Sequence, residues 1–110
     1  MLINGGMLLI ELSKVVLDKF YELEGEESQL LQTSGECAEL IAVIQNYIRN
    51  EGKAKKKSTI KDVMGEAVDV YFMIQQIRNL NPEMFDKIVF SKTNKVMKRL
   101  YNLLNEKHSM

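Results

Sequence analysis

The sequence predicts an all-α fold, in the form of a four-helix bundle. Apolar residues recur at intervals of three and four, which is the helical period. The chain contains a single proline, Pro82, and lacks the run of alternating apolar and polar residues that predicts a half-buried strand. Its 110 residues are enough for one modest core, so we expect one domain over residues 1–110.

Glycine, proline and capping residues set the predicted helix boundaries, which are roughly 7–23, 26–49, 59–80 and 82–105. The first helix ends near Gly25. Thr59 and Asp62 have the spacing of a capping box for the third helix. Asn81 is placed to cap the fourth helix, and Pro82 takes its first position, where proline is tolerated. We expect the tail after residue 105 to fray.

The composition is that of an ordinary globular protein, with 45% apolar and 27% charged residues. The 15 basic and 15 acidic side chains cancel, so overall charge gives no reason to expect a nucleic-acid or membrane partner. The apolar start is interrupted by Glu11 and Lys14 and is too short to span a bilayer. With Cys37 as the single cysteine, no internal disulfide is possible, and we expect a cytoplasmic protein.

Two similar stretches, "SGECAEL" at residues 34–40 and "MGEAVDV" at 64–70, carry the acids of interest. Residues three apart share a helix face, so each stretch presents one pair of carboxylates. Both pairs lie near the edge of the apolar face of their helix. These apolar faces, which we predict to be packed, consist of Leu30, Cys37, Leu40, Ile41, Ile44 and Ile48 on one helix and Val63, Ala67, Val70, Ile74 and Ile77 on the other.

Carboxylates packed edge to edge would repel each other, and burying an uncompensated one is costly. A divalent cation such as Mg²⁺ would remove that conflict, because it prefers carboxylate oxygens. The pattern therefore predicts a metal site made of Glu36, Glu39, Glu66 and Asp69. The alternative is that these are ordinary solvated acids. Gly35 and Gly65, one before each pair, predict a close helix approach or room beside a ligand.

The predicted fourth helix places cations on its apolar face. Lys92 and Arg99 project from the face and Lys95 lies at its border, an arrangement that suits a clamp for phosphates beside a metal site. The alternative is that the stems of Lys92 and Arg99 cover the core and their heads reach solvent, or that they pair with acids. The lysine-rich segment at 53–57 is either solvated or steers an anionic substrate.

A second apolar stripe on the predicted third helix consists of Met64, Val68, Tyr71 and Phe72. A small four-helix protein has little room to bury a helix on several sides, so we expect another subunit to cover this stripe. The predicted assembly is therefore a homo-oligomer through this helix. A nucleophile–base pair is not expected, because the single histidine, His108, lies in the tail.

The acid motifs resemble those of the MazG-like all-α nucleoside triphosphate pyrophosphohydrolases. The family signature is E-x-x-E, a gap, then E-x-x-D. Here it reads Glu36 and Glu39, a gap of residues 40–65, then Glu66 and Asp69. "ECAELI" and the upstream Gln29, seven residues before the first acid, are similar to the small phage and bacterial members.

The resemblance implies a dimer or tetramer that uses Mg²⁺, with Mn²⁺ as the other candidate, held by the four acids. It implies hydrolysis of a nucleoside or deoxynucleoside triphosphate to the monophosphate and pyrophosphate, with Glu36 or Glu39 as the residue that accepts the proton of water. The expected substrate-binding residues are Lys92, Lys95, Arg99 and Gln29. Relatives often carry glutamate where Gly35 and Gly65 stand, so the number of ions stays open.

Two further interpretations remain. One is a non-catalytic helical interaction module that uses the second apolar stripe, in which case the four acids are dispensable. The other keeps the same superfamily and changes the substrate to phosphoribosyl-ATP. A di-iron carboxylate site is set aside, since it typically needs a histidine on two helices.

Overall fold

A computed structural model describes residues 10–49 and 56–108, together with the backbone of residues 2–3 and 7–8. Over these ranges the chain forms three α-helices and two short strands. The strands are β1 (Leu2–Ile3) and β2 (Met7–Leu8), paired antiparallel with Leu2 opposite Leu8. The helices are α1 (Lys14–Arg49), α2 (Ile60–Leu80) and α3 (Pro82–His108). The all-α prediction is confirmed in its main elements.

The first helix begins later than predicted, at Lys14 and not at residue 7. Ser13 caps it, because its Oγ accepts a hydrogen bond from the backbone N–H of Val16 at 3.3 Å. Before the helix, Ile10 accepts a hydrogen bond from the Tyr71 hydroxyl at 3.1 Å, and the N–H of Leu12 donates to Gln75 Oε1 at 2.7 Å. These contacts tether the preceding backbone to α2.

The predicted break at Gly25 is confirmed, although α1 is continuous by hydrogen bonding. Gly25 has φ 81° and ψ 168°, which no helix adopts. Asp18 bonds Asn79, and Gln29 bonds Gln76, although eleven residues separate Asp18 from Gln29. A straight helix would carry Asp18 about 16 Å past Gln29. The chain therefore reverses at Gly25, and both segments of α1 lie along α2.

The caps of α2 and α3 are confirmed. Asp62 Oδ2 accepts from the N–H of Thr59 at 2.8 Å, and Thr59 Oγ1 accepts from the N–H of Asp62 at 3.2 Å, which completes the capping box. Asn81 Oδ1 accepts from the N–H of Met84 at 3.0 Å. The last helix runs to His108, three residues beyond the predicted end, so Glu106–His108 is helical and not frayed.

The interface between α1 and α2 is rotated from the predicted one toward the acids. Its most buried residues are Gln29 and Thr33 on α1 and Met73 and Gln76 on α2, joined by Leu17 from the first segment. Parts of both predicted apolar faces lie outside this interface. The exposed members are Leu30, Ile41, Ile48, Ala67 and Ile74. The other six members of the predicted faces, among them Leu40 and Val70, are half-buried.

The chain divides into two compact units, residues 1–80 and 81–110. The second unit contains α3, in which no residue is buried. Large apolar side chains are exposed along this helix, among them Phe90 at 75% and Val96 at 64%. No helix in the described part of the chain combines the length and apolarity needed to cross a bilayer.

The close helix approach predicted at Gly35 and Gly65 is not found. A Cβ built on either residue meets no heavy atom within 4 Å, so neither glycine is needed to let another part of the chain pass near. Room beside a ligand stays a prediction for both. Gly25 also has open space around its Cβ position, but its backbone conformation restricts substitution.

Replacing Gly25 with alanine should lower the free energy of unfolding by about 1–3 kcal/mol, because its φ and ψ belong to a region populated essentially by glycine. Gly35→Ala is the matched control. It adds the same methyl group to a helix interior with space for it, and should raise stability by about 0.5–1 kcal/mol. Urea denaturation followed by circular dichroism measures both. Equal effects of one sign would contradict this account of the reversal.

Candidate metal centre

Three of the four predicted acids meet where α1 and α2 pack together. One carboxylate oxygen each from Glu36, Glu39 and Glu66 lies within 4.8 Å of the others. Glu36 and Glu39 stand one turn apart on α1, and Glu66 faces them from α2. Glu36 and Glu66 are half-buried and Glu39 is exposed, so the cluster opens to solvent on the Glu39 side.

Asp69 lies one turn beyond Glu66 on α2 and is exposed. It is not part of the three-carboxylate set, but its negative charge contributes to raising the pKa of both Glu36 and Glu66. The predicted convergence of all four acids is therefore matched for three, with Asp69 at the edge of the cluster.

Burial is the largest cause of the raised pKa of Glu36 and of Glu66, since it disfavours the charged carboxylate. The second cause for both is the negative charge of Glu39, and a hydrogen bond with Glu39 adds to it. Two carboxylates can share a hydrogen bond only when one holds a proton. Without a cation, Glu36 and Glu66 therefore retain their protons at a higher pH than isolated glutamates do.

Two carboxylate oxygens of the cluster lack any partner. Oε2 of Glu36 and Oε2 of Glu66 are both buried and accept no hydrogen bond from any residue that the structure describes. Buried polar atoms without partners are costly and uncommon in folded proteins. An all-oxygen, acidic donor set of this kind is what Mg²⁺ and Mn²⁺ prefer. The residues present thus fit a divalent cation in both chemistry and unsatisfied capacity.

The remaining predicted site residues are either buried between helices or carried by α3. Gln29 is 1% exposed, and its Nε2 donates to Gln76 Oε1 at 2.9 Å, so in this structure it joins two helices and does not face solvent. Lys92, Lys95 and Arg99 are exposed residues of α3, in the second unit. In the lysine-rich segment, Lys56 and Lys57 are exposed, whereas Lys53 and Lys55 lie outside the described residues.

Gln76 is a buried polar residue of the α1–α2 interface that the sequence analysis missed. The spacing of the sequence could have identified it as the partner of Gln29, because Gln76 follows Glu66 by ten residues and Gln29 precedes Glu39 by ten. Such a matched spacing places two amides level with each other when the helices are antiparallel and Glu39 faces Glu66.

No protein-family model, curated protein or solved structure matches the chain. The resemblance to MazG-like enzymes therefore rests on the acid motifs and their spacing.

The raised pKa values make the stability of the metal-free protein fall as pH rises. A carboxyl whose folded-state pKa is raised binds its proton more tightly when folded. Its stabilising contribution is complete below the ordinary glutamate value of 4.5 and is lost as pH rises through the raised pKa. Asp18 and Asp62, whose pKa values are lowered from 3.8 mainly by hydrogen bonds to Asn79 and Thr59, act in a separate window at lower pH.

In EDTA, the melting temperature should therefore decline from pH 4.5 toward neutral, and Glu66→Gln should make the decline shallower and raise the melting temperature at pH 7. Glu27→Gln, which removes an exposed carboxylate elsewhere on α1, should leave the decline unchanged. A wild-type melting temperature that is flat or rises over this range would count against the coupled cluster.

Proposed function

We propose that the chain is a Mg²⁺-dependent nucleoside triphosphate pyrophosphohydrolase, which hydrolyses the bond between the α and β phosphates to give the monophosphate and pyrophosphate. The observation that carries the proposal is the cluster of Glu36, Glu39 and Glu66, with two buried carboxylate oxygens that accept no hydrogen bond within the described part of the chain. The signature spacing of the four acids supports the choice of reaction.

In this proposal Glu36, Glu39, Glu66 and Asp69 hold the cation. When bound, a divalent cation neutralises charge on phosphate oxygens and lowers the pKa of its water. Glu36 and Glu39 are the candidates to accept a proton from the attacking water. The exposure of Glu39 favours it for this role, because a base must be within reach of a solvent-derived water.

Lys92, Lys95 and Arg99 are the candidates to offset the negative charge of the phosphates. This role is supported by the position of the three cations on one side of α3, because charged side chains are unexpected on a helix face that is otherwise apolar. Gln29 is a weaker candidate for substrate contact than the sequence suggested, since its side chain is buried between helices. The substrate class includes phosphoribosyl-ATP as an alternative to a free nucleotide.

The exposed apolar residues support a homo-oligomer. On α2, Met64 and Val68 of the second apolar stripe are 61% and 47% exposed. The chain itself covers part of the same stripe, because Tyr71 and Phe72 are half-buried and the Tyr71 hydroxyl bonds the backbone of Ile10. We propose that a second copy covers Met64 and Val68.

Glu66→Gln should reduce pyrophosphate release by about 100-fold or more, because it removes a proposed cation ligand and leaves the side-chain shape unchanged. Asp69→Asn tests the acid at the edge of the cluster in the same way. The measurement is pyrophosphate release over a panel of nucleotides and phosphoribosyl-ATP with Mg²⁺ or Mn²⁺. Glu27→Gln is the control and should retain full activity.

A panel without turnover by the wild-type protein would remove the support for an enzyme. The interaction-module interpretation predicts that all four acids can be neutralised without loss of partner binding.

Met64→Glu should shift the protein toward the monomer in sedimentation velocity, since it places a charge in the proposed interface. Its fold should be kept, because Met64 is exposed in the single chain. Lys61→Glu, an exposed change one turn earlier on α2, is the control for the charge. Wild-type protein that sediments as a monomer would contradict the proposed assembly.

A further inference from the structure

The interface between α1 and α2 has an amide pair at its most buried point. Gln29 and Gln76 are 1% and 6% exposed, and the Nε2 of Gln29 donates to Oε1 of Gln76 at 2.9 Å. The Nε2 of Gln76 contacts the sulfur of Met73 at 3.7 Å, and Thr33 Oγ1 donates to the carbonyl oxygen of Gln29 at 2.8 Å. The other polar contacts to α2, such as Asp18 with Asn79, are more exposed.

The Gln29–Gln76 hydrogen bond contributes little to the stability of the fold. Oε1 of Gln29 is buried without a partner, which is a cost that an apolar side chain would avoid. Replacing both partners of a buried hydrogen bond with apolar groups of similar shape is often neutral or stabilising. Polar residues in helix interfaces do, however, select one register of the helices against others, at a cost in stability.

The register selected here is the one that assembles the carboxylates. Ten residues separate Gln29 from Glu39 on α1, and ten separate Glu66 from Gln76 on α2. With these segments antiparallel, pairing the two amides puts Glu39 level with Glu66. A slip of one turn would move one helix by about 5.4 Å. That exceeds the 4.8 Å within which the three carboxylate oxygens now lie.

We propose that the Gln29–Gln76 pair is a positioning device that fixes the α1–α2 register at which Glu36 and Glu39 meet Glu66. The inference rests on the proposed function for what the carboxylates bind. The register itself is a property of the metal-free chain and can be measured without a cation or a substrate.

The test compares wild type with the double variant Gln29→Leu/Gln76→Leu in a Cys37→Ser background. Spin labels at Gln45 on α1 and Lys61 on α2, both exposed, report the register in metal-free protein diluted with unlabelled chain. Thermal stabilisation by Mn²⁺ reports the site. The double variant should melt at or above the wild-type temperature, show a shifted or broadened label distance, and need at least ten times more Mn²⁺ for half-maximal stabilisation.

Thr33→Val is the matched control, since it removes a buried polar group from the same interface and leaves the amide pair intact. It should keep the wild-type label distance and Mn²⁺ midpoint. Single leucine variants should melt below the double variant, because each leaves one buried amide unpaired.

An unchanged label distance in the double variant would overturn the inference, whatever the protein binds. If wild type fails to respond to Mn²⁺ while the label distance changes as expected, the register role stands and the proposed function fails. Should the leucine variant not fold, Gln29→Met/Gln76→Met, closer in shape to glutamine, replaces it. Failure of both to fold would overturn the inference, since the pair would then be required for folding itself.

Discussion

Carboxylates packed between α1 and α2 are the constraint that the rest of this interface has to accommodate. Glu36 and Glu66 each bury an oxygen that accepts no hydrogen bond from the described residues, and burial, followed by the negative charge of Glu39, raises the pKa of both. Apolar residues are buried far more often than glutamates, so apolar packing alone would expose these acids and bury Ile41 and Ile74. Here Glu36 and Glu66 are half-buried, whereas Ile41 and Ile74 are exposed. Other contacts of the α1–α2 interface therefore have to offset the cost of packing the acids.

The apolar surface is distributed accordingly. Leu30, Ile41 and Ile48 on α1 and Met64 and Val68 on α2 are exposed, and α3 buries nothing. A single amphipathic helix such as α3 gains little stability from helix propensity alone, since helices in proteins draw most of their stability from a packed apolar face. The unsatisfied acids within the interface and the uncovered apolar residues outside it are two consequences of the same rotation of the helices.

Local features were predictable from the sequence and non-local ones were not. The caps at Thr59 and Asn81 and the break at Gly25 depend on a few neighbouring residues, and each was identified correctly. The start of α1 was wrong because the preceding residues are held by Tyr71 and Gln75, more than sixty positions away. The packed faces were misjudged because apolar content alone was used to orient them. The two acid pairs were nevertheless identified in the sequence, since their spacing along the chain is independent of how the helix faces are oriented.

The position of the carboxylates along the chain also bears on how the chain folds. Both acid pairs and the whole α1–α2 interface precede Asn81, within the first compact unit. Domains tend to fold as units from the N-terminus as the chain is made. The three carboxylates that meet all lie in this unit, so their assembly needs no residue of α3, and the folding of the acidic centre and of the basic helix are separable steps.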